Sequence, residues 1–288
     1  MKSRVLITGA AGQLGRTLLN TQSENVEVIG VDHAQCDIED PKSIARAFEE
    51  YEPTVVINAA AFANVDRAES QPERAFAINA TGVRNLAAAA LRHDARLIHI
   101  STDYVFDGRS ASPYPPDAAV NPLNIYGASK AAGEREFLAS GVTGAVVRTA
   151  WLFSAESTSF VNKVLQQIRA GNKLRFVSDQ IGTPTSTFDL APVLLRLAID
   201  DHGRKGVFHY TSGGSGSRYD QVMCIQQAAL KLGIIDRPVE IEPVTSAAYN
   251  AAAVRPAYSV LDSRELWRIY GTPPNWKSGI ETVLKLLG

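Results

Sequence analysis

Five short runs of apolar and β-branched residues recur through the first half of the chain: RVLIT at 4–8, VEVIGV at 26–31, TVVINAA at 54–60, RLIHIS at 96–101 and GAVVRTA at 144–150. Most are separated by segments of helical character, such as PKSIARAFEEY from Pro41 and PERAFAINATGVRNLAAAALRHD from Pro72. A strand that is apolar on both sides must be covered on both faces, and strands joined through helices pair in parallel. The pattern predicts a doubly wound α/β domain over residues 1–151.

Beyond Trp151 the pattern loosens. A helix is expected from Phe160, then a strand LRFVS, a loop DQIGTPTSTFD, a helix ending at Ile199, a strand VFHYTS, and a turn GGSGS that opens another helix. The tail carries Pro238, Pro243, Pro256, Pro273 and Pro274 with short helices between them. Residues 152–288 therefore read mostly as a smaller, loop-rich substrate-binding lobe, with some segments returning to the first sheet.

Composition narrows the partners. Lysine plus arginine number 29 against 30 aspartate plus glutamate, so no charge excess points to nucleic acid or an anionic membrane surface. Cys36 and Cys224 have no CxxC spacing, which fits free thiols in a reducing compartment. The first residues, MKSRVLITGAAGQLG, offer only VLI before Thr8 and Gly9, too short for the apolar core of a signal peptide, and no window is long enough to span a membrane. The expected location is cytoplasmic, and no metal site is assigned.

The first strand runs straight into ITGAAGQLG, which places Gly9, Gly12 and Gly15 between a strand and an amphipathic helix. Glycine there allows a tight turn, lets backbone N–H groups reach a pyrophosphate, and lets helix pack on strand, while the helix N-terminus attracts the anion. The spacing is GxxGxxG, and its place in the first βα unit makes the domain Rossmann type. Gly9, Gly12, Gln13, Leu14 and Gly15 are assigned to a dinucleotide. Asp32 ends the second strand, where a ribose 2′-hydroxyl would be met, which favours NAD; Arg16 could instead answer a 2′-phosphate. Asp37 and Ile38 are placed near the adenine edge. Ala59, Ala60, Ala61 and Ala63 at the third strand end let the chain lie close to the cofactor.

Thr102 ends the fourth strand, where such sheets bind ligands. Further on, YGASK puts Tyr126 and Lys130 at i and i+4, on one helix face. A phenol with pKa about 10 is a sluggish acid at neutral pH, and a nearby ammonium moves it toward the working range. Thr102, Tyr126 and Lys130 are the catalytic candidates for general acid chemistry at a carbonyl.

Glycine loop, strand-end hydroxyl and YxxxK pair together resemble the extended short-chain dehydrogenase/reductase family, over nearly the whole chain. The resemblance implies NADPH or NADH as cofactor. Dehydratases of that family follow the strand-end threonine with Asp and Glu, whereas here Asp103 and Tyr104 follow, which disfavours dehydration; epimerases usually carry small residues there. The segments NAAAFANVDRAES, STDYVFDG, YGASKAAGE, RTAWLF, DQIGTPT and RPAYSVLD are similar to members that reduce the C4 ketone of a dTDP-linked 4-keto-6-deoxy sugar, dTDP-4-dehydro-6-deoxy-L-mannose. By that resemblance Tyr126 gives the proton, Lys130 holds the ribose and lowers the Tyr126 pKa, and Thr102 hydrogen-bonds the carbonyl. Asp103, Tyr104, Trp151 and Arg255 become substrate contacts. Asn79 supports a proton relay or bonds to backbone.

Some members join subunits through magnesium bound partly by a Glu early in the first helix; Thr17 stands there, so a monomer or weak homodimer is expected rather than a magnesium-bridged dimer. Arg67 stands where Lys is common, and Phe62 replaces Tyr or His. Two rivals stay open: a reductase or epimerase of another nucleotide sugar, and a non-catalytic NADP-binding regulatory subunit, since the beta subunit of methionine adenosyltransferase resembles the same reductases.

Overall fold

A computed structural model describes residues 3–21, 26–199 and 203–288. The first half contains β1 (Ser3–Thr8), α1 (Gln13–Asn20), β2 (Val26–Val31), α2 (Pro41–Tyr51), β3 (Val55–Asn58), α3 (Val65–Ser70), α4 (Pro72–Phe76), a π-helical turn (Ala77–Thr81), α5 (Gly82–Arg92), β4 (Arg96–Thr102), a 3₁₀ turn (Asp103–Val105), α6 (Ile125–Ser140) and β5 (Gly144–Thr149). The second half contains β6 (Leu152–Phe153), α7 (Phe160–Arg169), β7 (Leu174–Val177), β8 (Ile181–Gly182), β9 (Thr185–Ser186), α8 (Thr187–Ala198), β10 (Gly206–His209), β11 (Gly216–Ser217), α9 (Arg218–Lys231), β12 (Ile241–Val244), α10 (Ser246–Tyr249), α11 (Arg264–Tyr270) and α12 (Trp276–Leu287).

Six parallel strands form the central sheet in the order β10-β5-β4-β3-β1-β2. Alternate residues of each strand feed two cores, as a period of two requires. Val5, Ile7, Ile57, Ile98 and Val147 pack with Leu14 and Leu18 of α1 and with Leu190, Leu194 and Leu197 of α8. Leu6, Val56, Leu97 and Val146 pack with Phe48 of α2, Leu86 of α5 and Phe137 of α6. The strand order reverses across β1 and β3, which opens a crevice at their carboxyl ends.

A third core joins Phe153, Leu165 of α7, Ile225 of α9 and Trp276, Ile280 and Leu284 of α12. Small pairs, β6 with β9, β8 with β11 and β7 with β12, organise these C-terminal elements. The tail is tied to both halves, with Tyr258 bridging to Ile181 and Leu261 to Tyr114.

The structure departs from the sequence expectation in places. The long helix expected from Pro72 is divided by the π-helical turn at Ala77–Thr81, because one extra residue inside a helix leaves the apolar periodicity almost intact. The expected loop DQIGTPTSTFD contains β8 and β9 and then starts α8, whose N-cap Ser186 accepts a hydrogen bond from the Phe188 amide. Pairings of two residues leave no pattern to read.

Candidate active site

The loop after β1 is shaped for close approach. Gly9 has φ +72°, and a Cβ on it would lie 2.6 Å from the Ala60 amide nitrogen. A Cβ on Gly15 would meet Gly9 and Ala10 backbone, so α1 sits against the loop only because that atom is missing. Gly12 caps α1 and has no side chain to satisfy the first-turn amides, which leaves them for an external acceptor. No carboxylate stands in the first turn of α1 to compete with an anion.

A cavity of about 380 Å³ opens from this loop. Gly12, Gln13, Leu14 and Gly15, then Ala59, Ala60, Ala61 and Ala63, line one side; Thr102, Asp103, Tyr104, Tyr126, Lys130, Trp151 and Arg218 line the other. Asp32, Asp37 and Ile38 do not line it. The Asp32 carboxylate accepts the amides of Ala34 and Gln35 at 2.9 and 3.0 Å and so folds the turn after β2. Asp37 accepts the Glu39 amide, and the Ile38 side chain is buried in the core against α5.

Helix α6 starts at Asn124, whose side chain accepts the Gly127 amide at 2.7 Å. Gly127 lets the helix approach the 3₁₀ turn, since a Cβ there would meet the Tyr104 carbonyl. That contact brings the Tyr126 ring edge-on to Tyr104, with centroids 6.1 Å apart, and its hydroxyl beside Thr102 in the wall of the cavity. Burial pushes the Tyr126 phenol well above its ordinary value, against the lowering effect of Thr102; Asp103 and Tyr104 add to the rise. The Lys130 ammonium is not among the groups acting on it. Its nitrogen donates instead to the Ile100 carbonyl at 2.7 Å and lies 3.4 Å from His99 Nε2. The expected lowering of the Tyr126 pKa by Lys130 is therefore absent from this arrangement, because the amine is turned back against β4. Burial brings Lys130 itself down to about 8, opposed by the charge of Glu134.

Asp103 is 1% exposed, and both its oxygens are taken. Oδ1 accepts from Thr102 at 3.0 Å and Oδ2 from Ser259 at 2.6 Å. Burial raises it to about 6, against those hydrogen bonds and the charge of Arg218. Its carboxylate holds the strand end to the C-terminal tail.

Asn79, in the π-helical turn, accepts the Phe62 amide at 2.9 Å and donates to the Phe62 carbonyl and to Ser129 at 3.1 and 2.9 Å. Of its two expected uses, the structure has the bond to backbone. Thr17 donates to the Gln13 carbonyl at 3.0 Å and shares a 2.8 Å hydrogen bond with the Thr187 hydroxyl, fastening α1 to α8.

Trp151 follows β5 in a left-handed conformation, φ +47°. A non-glycine residue is held there only when its surroundings fix it. The Arg218 guanidinium lies 3.8 Å from its ring centroid, and a Cβ on Gly182 would lie 2.7 Å from the indole, so the bare backbone there lets the ring pack close. Arg218 escaped the sequence reading, although a Gly/Ser-rich turn running into a basic first helical residue was a signal for it. Its charge, like that of Arg255, acts on Tyr104 and lowers that phenol against the effect of burial.

Arg255 lies outside the first cavity. It makes a two-pronged ion pair with Asp66 of α3 at 3.0 and 2.7 Å and lines a second cavity, of about 390 Å³, with Phe160, Phe176, Tyr249 and Arg218. Arg218 borders both cavities.

The family model described as "RmlD substrate binding domain" matches residues 2–288. The chain belongs to this family. Among RmlD-family relatives, it is 40% identical to a dTDP-4-dehydrorhamnose reductase of Mycobacterium tuberculosis, over 98% of this chain and 92% of that one. It is 39% identical to a probable dTDP-4,6-dihydroxy-2-methyloxan-3-one 4-ketoreductase of Streptomyces antibioticus, over 96% and 93%. The crystal structure of dTDP-4-dehydrorhamnose reductase from Bacillus anthracis in complex with NADP superposes with a TM-score of 0.91 at 33% identity, covering 99% of this chain and all of that one. The RmlD-type fold is thus shared from end to end.

Proposed function

We propose that this chain is an oxidoreductase that reduces the C4 ketone of dTDP-4-dehydro-6-deoxy-L-mannose (dTDP-4-dehydrorhamnose) to dTDP-L-rhamnose with NADPH or NADH. The observation that carries the reading is the meeting of Tyr126 and Thr102 at the mouth of a glycine-lined cleft, in a chain whose relatives act on dTDP-linked keto sugars.

The residues present fit a dinucleotide. Close approach at Gly9 and Gly15, uncapped amides at the start of α1 and small side chains at Ala59, Ala60, Ala61 and Ala63 are what a pyrophosphate and a flat ring require. When bound there, the reduced nicotinamide supplies the hydride for the ketone carbon. Tyr126 gives the proton to the ketone oxygen. Its raised pKa keeps it a neutral phenol at working pH, the form a reduction needs. Thr102 orients the Tyr126 hydroxyl, Asp103 and Ser259 hold Thr102, and Lys130 takes the ribose side of the cleft.

Residues 1–151, completed by α8 and β10, form the cofactor half, and most of 152–288 forms the substrate lobe. Trp151 and Tyr104 floor the sugar site. Arg218 and Arg255, beside the aromatic rings of Phe160, Phe176 and Tyr249, make the second cavity suited to a nucleoside diphosphate: guanidinium for phosphate, ring faces for the base.

The test is direct. Purified protein is mixed with the 4-keto sugar nucleotide made in situ, and NADPH and NADH absorbance are followed in parallel. Steady oxidation that depends on the sugar nucleotide is expected, with dTDP-L-rhamnose as product. Isomerised sugar without net cofactor consumption would instead identify an epimerase. Tight cofactor binding with no turnover of any dTDP-linked ketone would identify a regulatory binder.

A further inference from the structure

Beneath the cleft, three buried polar side chains lie in register across three parallel strands. Thr8 of β1 pairs with Asn58 of β3, and Asn58 with His99 of β4; each is 0% exposed. The row ends on Lys130 of α6, 2% exposed.

The hydrogen bonds run in one direction. Asn58 Oδ1 accepts from the Ala60 amide at 3.2 Å, and a backbone N–H can only donate. Thr8 donates to the same oxygen at 2.8 Å. The Asn58 amide is thereby fixed with Nδ2 toward His99, 3.1 Å from Nδ1. Nδ2 has only hydrogens to offer, so His99 Nδ1 must accept and the ring proton must sit on Nε2. Nε2–H faces the Lys130 nitrogen at 3.4 Å. An ammonium has no lone pair to receive it, whereas an amine has one and can still donate to the Ile100 carbonyl at 2.7 Å.

We propose that His99 is a positioning residue for Lys130: locked as the Nε2–H tautomer by Thr8 and Asn58, it faces the Lys130 nitrogen with a proton donor and so favours the amine over the ammonium against β4 in the cofactor-free protein. The remaining groups on the elements around α6 do not undo this. Glu134, the one carboxylate acting on Lys130 among the described residues, is already engaged by Arg148 of β5 at 2.7 Å and by Ser101. Asp103 is held by Thr102 and Ser259, Asp66 of α3 by Arg255, and Glu69 of α3 by the Ile125 amide. Arg67 of α3, Glu73 and Arg74 of α4 and Arg84 of α5 are exposed to solvent. Burial, which brings Lys130 down to about 8 and keeps His99 far below its ordinary value, acts in the same direction. As the amine is released from His99 to meet the cofactor ribose, its affinity for a proton rises.

The proposal rests on the reductase reading only for that last consequence; its test is made on free protein. In wild type, ¹⁵N shifts of the imidazoles are expected to show His99 as the neutral Nε2–H tautomer between about pH 6 and 9, the signal assigned by its loss in His99→Leu. The Nδ1–H tautomer or an imidazolium would overturn the proposal without any variant. With ¹³C-labelled lysine, the Lys130 signal, assigned by its loss in Lys130→Met, is expected to titrate near 8. In His99→Leu that titration should rise by about one pH unit, tenfold in the acid constant. An unchanged titration in a folded His99→Leu, or a wild-type Lys130 titrating in the ordinary lysine range, would overturn it. A failed turnover assay beside these spectra would count against the reductase reading alone.

Discussion

The Arg218 guanidinium lies over the face of Trp151, 3.8 Å from the ring centroid, at the boundary of two cavities. The bare backbone of Gly182 also packs against the indole, with no room for a Cβ. A half-buried cation over a tryptophan face is worth about 1–2 kcal/mol. Arg218→Met keeps much of the side-chain volume and removes the charge. The expected outcome is a KM for the sugar nucleotide raised roughly tenfold, since ~1.4 kcal/mol is a factor of ten, with NADPH affinity unchanged. Steady-state kinetics and a cofactor titration check both halves; equal weakening of the two ligands would put Arg218 elsewhere in the reaction.

Tyr126→Phe deletes the phenolic proton and keeps the ring against Tyr104. Turnover should fall by roughly a hundredfold to ten-thousandfold, the range for a lost general acid. Cofactor binding, followed by NADPH fluorescence, should stay near that of wild type. A variant with normal turnover would move the acid to another group.

Asp103 predicts a specific pH dependence of stability. Its folded carboxyl is raised to about 6 from 3.8, so between those values the folded state binds more protons than the unfolded one. Stability from this group is fully present below 3.8 and is lost as pH rises through 6, with a slope of at most about 1.4 kcal/mol per pH unit. Urea unfolding of wild type and Asp103→Asn at several pH values should give curves that converge or cross in that window and run parallel above it. Parallel curves throughout would mean a carboxyl with an ordinary pKa.

If the chain binds its cofactor as proposed, Asp32 after β2 and Arg16 in α1 are the residues to test for nucleotide preference. Asp32 repels a 2′-phosphate, and Arg16, whose Nε donates to the Ala11 carbonyl at 3.1 Å and which stands 3.6 Å from Glu156, is exposed and able to reach one. Asp32→Ser keeps an acceptor for the Ala34 and Gln35 amides while removing the charge. The ratio of kcat/KM for NADPH over NADH should rise about tenfold, of the order of one unscreened charge contact at the surface. An unaltered ratio would remove Asp32 from the ribose site.

Much of the sheet and its glycine loop could be read in the sequence because local rules govern them: apolar runs such as VVIN can only be buried strands, and Gly9 needs φ +72° where the loop meets Ala60. Tyr126 and Lys130 were legible as a helical pair, but not the direction of the amine, which depends on His99 and Ile100 of a strand about thirty residues earlier. Asp103 was legible as a residue at the strand end; its burial was not, since Ser259 lies 156 positions away. Arg218 is beyond local rules for the same reason: only the packing of α9 against Trp151 gives it a place.

The tail between Ala253 and Asp262 crosses from one half of the molecule to the other, bound at Asp66, Asp103, Tyr114 and Ile181. During synthesis the glycine loop, Thr102, Tyr126 and Lys130 all emerge more than a hundred residues before Ser259. A nascent chain thus carries the glycine loop, Thr102, Tyr126 and Lys130 well before Ser259, and Asp103 gains its second hydrogen-bond partner only when that tail segment has emerged and packed.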